Sequence, residues 1–523
     1  MTRRLLPLAL LLAVAAGALA IRLPRLDLRP LHGDEAVEAF KTGLLYDNGF
    51  YRYDPHEYHG PTLHYATLPF LWLSGARSFA DSSEVTFRLV DVAFGVGLIL
   101  LLPLLADGLG WPATLVAAAL TAISPAMVFY SRYYVHESLL VFFTLAAIAT
   151  AWRYARCGKL AWAILAAASL ALMHATKETC ALAFIAMALA LAAKLGWRKI
   201  WGETIRVRGL IRPRHVAIAI AAGLAISATF FTSFFTNWRG PLDSILAFGN
   251  YLQRSGGAGL HDHPWHYYLG ILAYARYGPG IWWSECLILA LAAIGLVAAL
   301  WPSGHDRPKP PLLRFLAFYT LILTSLYAAV PYKTPWCMLS FLHGMILLAG
   351  VGTVALIRLV PTHLLKAVAT LLLALGGWQL AGQAWRASLD RRWVADRRNP
   401  YVYAHTAFDL LEIPRRAEQI AALHPQGHQM VIKIICPDRD YWPLPFYLRR
   451  FPHIGYWDAP PPDPDAPLII GSTQFAEELE KKLGGRYFVE TRGLRPTIRL
   501  NVFIRKDLWD AFLARQAHAA PQP

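Results

Sequence analysis

Charged residues are scarce in this sequence. Only 16% of the 523 residues are Asp, Glu, Lys or Arg, whereas 56% are hydrophobic. A water-soluble protein of this length rarely reaches that balance, because it has to cover its surface with polar groups. Uncharged apolar runs of about 20 residues recur along the chain, which is the length that crosses a bilayer as a helix. The composition therefore predicts a polytopic membrane protein.

Cysteine is also rare. The five cysteines have no Cys-x-x-Cys spacing, which argues against both a disulfide framework and a zinc knuckle. The formal charge of +16 would suit a nucleic-acid-binding protein. However, the basic residues lie in short segments between apolar runs, where the positive-inside rule explains them. No nucleic acid is expected as a partner.

The apolar runs predict about eleven transmembrane helices. They cover residues 5–22, 84–106, 112–130, 138–154, 160–175, 179–195, 215–236, 281–301, 314–331, 337–357 and 364–384. An ion-coupled transporter usually places its binding groups near the bilayer centre. Charges are missing from the midpoints of these runs, which argues against such a transporter.

Basic residues between the runs predict the orientation. The basic segments are the start (Arg3 and Arg4), the turn at 153–159, the loops 194–214 and 302–314, and the turn 358–366. The positive-inside rule places these segments in the cytoplasm. The outward-facing segments are then 23–83, 131–137, 237–280, 332–336 and everything after residue 385. We therefore expect a multi-pass protein of the cytoplasmic (inner) membrane, with its N-terminus inside and its C-terminal domain outside.

The first apolar run has two interpretations. MTRRLLPLALLLAVAAGALA has a basic start, an apolar centre and an Ala-x-Ala end, as a cleaved signal peptide does. An uncleaved first helix would instead tether the loop that follows it. The next run enters the membrane from outside in both cases, so the sequence leaves the two open.

The chain changes character near residue 385. Residues 1–384 are predicted to form the transmembrane domain, and residues 385–523 a small α/β domain outside the membrane. MVIKIIC, PLIIG and RLNVFI (430–436, 467–471 and 499–504) predict strands, and FAEELEKKL (475–483) predicts an amphipathic helix. The proline-rich APPPDPDAP is a stiff connector between them.

Two adjacent carboxylates, Asp34 and Glu35, follow the first run in the motif HGDEA. A site at the membrane surface, polar on one side and apolar on the other, suits a lipid-linked substrate. If the reaction is transfer of a sugar from a lipid phosphate, a carboxylate is needed to accept the proton of the acceptor. Asp34 is the candidate base, and Glu35 is expected to tune its pKa, because neighbouring carboxylates raise one another's pKa. Alternatively, DEA simply opens a helix, where acidic residues favour the N-terminal dipole.

Other candidate site residues lie in five further outer motifs. They are Glu57 and His59 in YDPHEYHGP, Arg132, His136 and the second catalytic candidate Glu137 in SRYYVHES, Lys177 and Glu178 in ATKET, His261 and His263 in HDHPWHYY, and Lys333 in PYKTPW. Plainer interpretations remain open: tyrosines anchoring at the interface, helix-capping charges and a snorkelling lysine. The histidines around Glu57 match no fixed ligand spacing, and prolines interrupt them. No metal site is therefore predicted, although a divalent cation stays open as a cofactor.

Together these motifs resemble the GT-C glycosyltransferase superfamily. The resemblance is carried by HGDEA after the first span, an arginine followed by an acidic residue before a later span (Arg132 and Glu137), many helices and an outer C-terminal domain. The superfamily includes dolichyl-phosphate-mannose protein mannosyltransferases and the aminoarabinose transferases of lipid A. DEA, YDPHEYHGP, RYYVHE, KET, HDHPWHYY, PYKTPW and WPLPFYLRR are more specifically similar to the flippase-activity-associated branch of archaeal N-glycosylation clusters.

The resemblance implies that Asp34 is the catalytic base or a metal ligand, and it matches Glu137 to the acidic position of the second outer loop. It further implies an inverting transferase that uses a polyprenyl-phosphate sugar and an unidentified glycan, lipid or protein acceptor. A WWDYG-type motif is missing, and WWSEC (282–286) is not one, which argues against oligosaccharide transfer to asparagine. The rival hypotheses are a non-catalytic transporter or flippase accessory for lipid-linked sugars, and a membrane scaffold. Charges gathered at one face favour the enzyme.

Overall fold

Most of the chain is helical. The computed structural model describes residues 2–56, 59–200, 212–255, 259, 261–301 and 311–519. The first helices are α1 (Thr2–Arg22), α2 (Gly33–Asn48), α3 (Thr62–Ser74), α4 (Glu84–Leu101), α5 (Ala106–Leu109), α6 (Trp111–Ile123), α7 (Pro125–Tyr130), α8 (Glu137–Cys157), α9 (Leu160–His174), α10 (Cys180–Ile200) and α11 (Pro213–Phe231). They are followed by α12 (Gly240–Ser255), α13 (Tyr267–Ala273), α14 (Cys286–Leu300), α15 (Pro311–Ala329), α16 (Leu339–Leu359), α17 (His363–Leu389), α18 (Glu412–Ala421), α19 (Leu444–Tyr447), α20 (Ala476–Leu483) and α21 (Lys506–Ala519).

Eight helical stretches in the described part of the chain are long and apolar enough to cross a membrane. They are Leu5–Arg22, Glu84–Leu109, Glu137–Cys157, Cys180–Trp197, Pro213–Phe231, Pro311–Ala329, Pro335–Leu359 and His363–Leu389. Three shorter apolar helices, α6, α9 and α14, fall on the remaining predicted runs. The multi-pass helical architecture is thus confirmed, whereas the count of eleven crossings stays a prediction.

Helices α14 and α16 pack with their backbones in close contact. A Cβ on Gly295 would lie 1.9 Å from the carbonyl oxygen of Leu348, and one on Gly352 would lie 1.9 Å from that of Leu291. Only glycine fits at these two positions. Small residues let membrane helices approach closely, where van der Waals packing rather than the hydrophobic effect drives their association. This pair forms a rigid support for the turn 331–336, which leads into α16.

The C-terminal part forms the small α/β domain that the sequence predicts. Its strands are β1 (Ile432–Ile435), β2 (Ile454–Trp457), β3 (Leu468–Ser472), β4 (Tyr487–Arg495) and β5 (Ile498–Arg505). They form one sheet in the order β2-β1-β3-β5-β4, in which β1 is parallel to β2 and β3, and β5 is antiparallel to β3 and β4. The predicted domain boundary after residue 384 falls inside α17, which continues to Leu389.

The C-terminal domain packs on the end of the helix bundle where α2 begins. The backbone N–H of Leu31 donates to the Tyr447 hydroxyl at 2.8 Å, and the Thr406 hydroxyl donates to the Leu31 carbonyl at 2.6 Å. At the other end of α8, Arg153 lies 3.2 Å from the carboxylate of Asp107. Arg156, also near the end of α8, lies 3.4 Å from the same carboxylate, so this end of α8 is basic.

Candidate active site

The motif HGDEA forms the first turn of α2. His32 is the N-cap residue: its Nδ1 accepts from the backbone N–H of Asp34 at 3.1 Å, and the Glu35 carboxylate accepts from the His32 N–H at 2.9 Å. This reciprocal capping box fixes the turn. The helix-start interpretation is therefore correct for the local structure. It leaves Asp34 partly exposed, with 46% of its side chain accessible and His32 Nδ1 3.8 Å from its carboxylate.

Glu35, the next residue, is buried and fully paired. Its carboxylate accepts six hydrogen bonds. The donors are Arg29 (2.5 and 3.1 Å), Arg88 (2.9 Å twice) and the backbone N–H groups of His32 and Tyr134 (2.9 Å each). Burial alone would raise the pKa of Glu35, but the two guanidinium groups hold it well below its usual range. The expected tuning of Asp34 by Glu35 stays a prediction. Glu35 ties α2 to α4.

Arg132, predicted to bind substrate, contacts the backbone. Its guanidinium donates to the carbonyls of Pro24 (2.8 Å) and Arg25 (3.0 Å), and also to that of Arg22. Burial, reinforced by neighbouring arginines, lowers the pKa of Arg132 to about 9. The side chain thus holds the segment between α1 and α2 in place rather than facing solvent.

Four of the predicted residues form two charge pairs near the start of α8. Lys177 Nζ contacts the carboxylate of Glu137, and both side chains are buried. Burial disfavours the charge of Lys177, yet the Glu137 carboxylate raises the pKa of Lys177 above its usual value. His59 Nδ1 lies 2.8 Å from Glu178 Oε2, and the Tyr53 hydroxyl donates to Glu178 Oε1 at 3.3 Å. Burial raises the pKa of Glu178 to about 6.

A further buried group consists of Glu38, His64 and His136. One ligand atom from each lies within 4.8 Å of the other two, and Glu38 Oε2 lies 3.4 Å from His64 Nε2. Burial raises the pKa of Glu38 to about 8 and lowers that of His64 to about 3. The group adjoins the charge pairs, because the rings of His59 and His136 are 5.1 Å apart.

The two last outer loops are joined to each other by backbone hydrogen bonds. The N–H of Lys333 donates to the carbonyl of His261 at 2.9 Å, and the N–H of His263 donates to that of Pro331 at 3.1 Å. Lys333 Nζ donates to the carbonyls of His263 (3.0 Å) and Val330. Lys333, His261 and His263 are therefore one local unit. Glu57 lies outside the described residues.

Trp336 links this unit to the first two loops. Its ring lies 5.9 Å from that of His32, and it stacks on Tyr133 at 5.9 Å. The next residue, Cys337, has its Sγ 4.0 Å from Glu137 Oε1. Residues adjoining Asp34, Glu137 and Lys333 are therefore in mutual contact, although the three sites are far apart in sequence.

A large apolar cavity opens on the bundle surface among α8, α9, α10, α11, α12 and α15. Its volume is about 1020 Å³. Its walls include Leu224 and Ile245, whose side chains are 66% and 65% exposed. His174 also lines it, only three residues before Lys177. The cavity thus runs from the hydrophobic surface toward the charge pairs.

Sequence reasoning missed Arg29, Arg88, Glu38 and His64. Arg29 and Arg88 lie outside every chosen motif, so no local pattern marks them as partners of Glu35. Glu38 follows Asp34 by one helical turn, and such i, i+4 positions share a face. That spacing was the signal for Glu38, whereas His64 lies three residues after the motif YDPHEYHGP and no spacing selects it.

The first half of the chain is similar to a known family. Residues 18–238 match the model of the dolichyl-phosphate-mannose-protein mannosyltransferase family. The matched range covers less than half of the chain, and it includes the loops that carry Asp34, Glu137 and Lys177. No curated protein matches the sequence of this chain.

Solved structures share the fold over nearly the whole chain. The structure of ArnT from Cupriavidus metallidurans bound to undecaprenyl phosphate is 16% identical, covers 95% of this chain and 98% of its own, and has a TM-score of 0.63. The Archaeoglobus fulgidus oligosaccharyltransferase in complex with Zn and sulfate is 13% identical, covers 96% of this chain and 75% of its own, and has a TM-score of 0.57. The archaeal oligosaccharyltransferase AglB from the same organism, with an inhibitory peptide and a dolichol-phosphate, is 12% identical, covers 93% and 69%, and has a TM-score of 0.52.

These similarities concern the fold alone. They agree with the family match in the first half of the chain. The similarity to the flippase-associated branch stays a prediction. The resemblance of the loop motifs to the GT-C glycosyltransferases is confirmed at the level of fold: the chain folds like ArnT and the archaeal oligosaccharyltransferase, and its residues 18–238 are similar to the mannosyltransferase family.

Proposed function

We propose that the protein transfers a sugar from a polyprenyl-phosphate donor to an acceptor at the outer face of the cytoplasmic membrane, with Asp34 as general base. One observation supports this most directly. Asp34 keeps a half-exposed carboxylate on a helix turn that is fixed by a capping box and by the six hydrogen bonds of Glu35. A base must reach the proton that it takes while its support stays rigid.

The proposed reaction is a single displacement at the anomeric carbon. The acceptor hydroxyl or amine attacks that carbon, a new glycosidic bond forms, and the bond to the phosphate oxygen breaks. The acceptor proton goes to Asp34, and polyprenyl phosphate leaves. Because attack comes from the side opposite the leaving group, the anomeric configuration inverts.

The apolar cavity supports a lipid-linked donor. It offers about 1020 Å³ of space with an almost wholly hydrophobic lining that includes Leu170, Leu224 and Phe315. A polyprenyl tail can move from the bilayer onto such a surface without exposing apolar groups to water, because the lining is as apolar as lipid. The cavity reaches His174, near Lys177 and Glu178, so a tail lying there would bring its phosphate toward the charged loops.

Lys333 is the proposed contact for the departing phosphate. Two backbone carbonyls, of His263 and Val330, fix its ammonium group, and an ammonium has three donors. One N–H is therefore left for an anion. We assign supporting roles in substrate binding to His59, His136, Lys177, Glu178, His261 and His263, and a structural role to Arg132.

Donor consumption tests the proposal. The purified protein in lipid nanodiscs would be incubated with a panel of polyprenyl-phosphate sugars and with membrane extract as the source of acceptor. We expect one donor to be consumed and free polyprenyl phosphate to be released in equal amount. A transporter or flippase accessory would move the donor between leaflets of a vesicle without releasing polyprenyl phosphate.

A matched variant makes this test specific. Asp34→Asn protein, prepared in the same way, should release no polyprenyl phosphate above background. Release at the wild-type rate by the variant would contradict the role of Asp34, and transbilayer movement of intact donor by the wild type without release would contradict sugar transfer.

A further inference from the structure

Three buried side-chain atoms that can bind a cation lie close together. Glu38 Oε2, His64 Nε2 and His136 Nδ1 are each inaccessible to solvent, and none has a hydrogen-bond partner. One ligand atom from each of the three residues lies within 4.8 Å of the other two. A buried polar atom without a partner costs free energy, and three that converge on one point need a common partner.

Neighbouring groups orient both imidazoles toward that point. His136 Nε2 lies 3.1 Å from the carbonyl oxygen of Gly60, and a carbonyl only accepts. Nε2 therefore carries the proton, and Nδ1 presents a lone pair to the cluster. A ring N–H bonded to a backbone carbonyl is the usual support of a metal-binding histidine.

His64 is oriented in the same way by Thr42. The Thr42 hydroxyl donates to the carbonyl of Glu38 at 2.8 Å, so it accepts from His64 Nδ1, also at 2.8 Å. The lone pair of His64 Nε2 then points at Glu38 Oε2, 3.4 Å away. Two neutral imidazoles and one carboxylate thus present three lone pairs to a single position.

We propose that Glu38, His64 and His136 bind a Zn²⁺ ion or a similar transition-metal ion. Two imidazoles suit Zn²⁺ better than Mg²⁺ or Ca²⁺, which prefer oxygen ligands. Tetrahedral Zn²⁺ has bonds of about 2.0–2.1 Å, so its ligand atoms lie about 3.3 Å apart. Glu38 Oε2 and His64 Nε2, 3.4 Å apart, already have that spacing, and a ligand atom of His136 lies within 4.8 Å of this pair.

The site goes beyond the proposed sugar transfer and does not depend on it. Glu38 follows Asp34 by one turn of α2, so the ion would lie one turn below the proposed base. Two histidines and one glutamate leave the fourth tetrahedral position open, as in catalytic zinc sites. The occupant that fits this position is water or an oxygen of the substrate.

Metal binding to the purified full-length protein tests the proposal. The protein, carrying an affinity tag without histidines, is stripped with a chelator in detergent and titrated with Zn²⁺ against a chromophoric chelator. Bound metal is then counted by mass spectrometry after desalting. We expect one Zn²⁺ per chain, weaker binding of Mg²⁺, and a melting temperature that rises with Zn²⁺ concentration.

Three variants locate the ion. Glu38→Gln keeps the side-chain volume and only removes the carboxylate ligand, so this variant should fold normally. Glu38→Gln and His64→Gln should lose the stoichiometric Zn²⁺. Thr42→Val should bind about 10- to 100-fold more weakly, because it removes the group that orients His64.

His343→Gln is the matched control. His343 is also buried, and its Nε2 has no hydrogen-bond partner, but it belongs to α16 and not to the cluster. This variant should keep the ion. A wild-type protein that binds no Zn²⁺, or a Glu38→Gln variant that binds it as tightly as wild type, would overturn the proposal.

Discussion

The first and second turns of α2 each bury a glutamate, and the two glutamates behave in opposite ways. Glu35, in the first turn, accepts six hydrogen bonds and has its pKa held well below the usual range by Arg29 and Arg88. Glu38, in the second turn, is 2% exposed, has an oxygen without a partner, and has its pKa raised by burial to about 8. Both residues are buried glutamates, so the difference between their pKa values comes from their partners: Glu35 has two arginines beside it.

This difference in partners distinguishes a glutamate with a structural role, Glu35, from one that is able to bind a ligand, Glu38. A buried carboxylate whose lone pairs are all taken by cations cannot take up a proton or a ligand, and it acts as a structural tie. A buried carboxylate with a free lone pair stays costly unless something binds it, which is why such groups concentrate at functional sites. Asp34, half exposed, lies beside Glu35 in the first turn and has access to solvent.

The contrast has functional meaning only if α2 lies outside the cytoplasm, where a lipid-linked donor and the C-terminal domain are proposed to be. We predict that reporter fusions after His215 and after His518 lie in opposite compartments, the first in the cytoplasm. The compartment of each position is measured by fusing alkaline phosphatase or a fluorescent protein there and recording phosphatase activity or fluorescence. If both reporters lay in the same compartment, the proposed topology would be wrong.

The largest effect on activity is expected at Asp34. Asp34→Asn keeps the side-chain volume but removes the proton acceptor, and loss of a general base costs about 100- to 10,000-fold in rate. Stability should change by about 0.5 kcal/mol or less, because the side chain is partly exposed. Sugar transfer and thermal unfolding of the same preparation check both parts. Full activity in the variant would show that Asp34 is not the base and that HGDEA only begins helix α2.

Substituting the two glutamates identically tests the contrast itself. Glu35→Gln leaves Arg29 and Arg88 buried without a counter-charge, and breaking such a pair costs about 3–5 kcal/mol. Glu38→Gln replaces a mostly neutral acid by a neutral amide, so it should cost far less in metal-free protein. Thermal unfolding in detergent compares them. Equal losses of stability would show that Glu35 is no more a structural tie than Glu38.

The sequence predicts what depends on local periodicity. Apolar runs predict the membrane helices, and β1, β3, β5 and α20 follow from their own patterns. The strands β2 and β4 were not predicted, because both lie at the edges of the sheet, where side chains are only partly buried and do not alternate clearly.

The site was predictable only in part, for the same reason. The motifs led to Asp34 and to the pair of Glu137 and Lys177, because charges next to apolar runs stand out in a sequence. Positions 38, 64 and 136 meet only through the packing of α2, α3 and the start of α8. No spacing along the chain encodes that meeting, nor the arginines that distinguish Glu35 from Glu38.

The smallest predicted effect is the pH dependence of stability that Glu178 contributes. Its pKa in the folded protein is about 6, above the ordinary value of 4.5, because burial disfavours its charge. The folded state therefore binds more protons than the unfolded state between those two values, and its stability falls as the pH rises through that window. The shift corresponds to about 2 kcal/mol.

Comparison with Glu178→Gln isolates this contribution. The variant cannot ionise, so its stability relative to wild type should rise by up to about 2 kcal/mol between pH 4.5 and pH 7, as measured by thermal unfolding across that range. Tyr53→Phe removes a hydrogen bond that holds the pKa of Glu178 down, so the stability of this variant should fall further than that of wild type as the pH rises. If the Glu178→Gln curve ran parallel to wild type, Glu178 would have to be as well compensated as Glu35. His59 would then have to act as a cation beside it, since a charged partner is what keeps a buried carboxylate ionised.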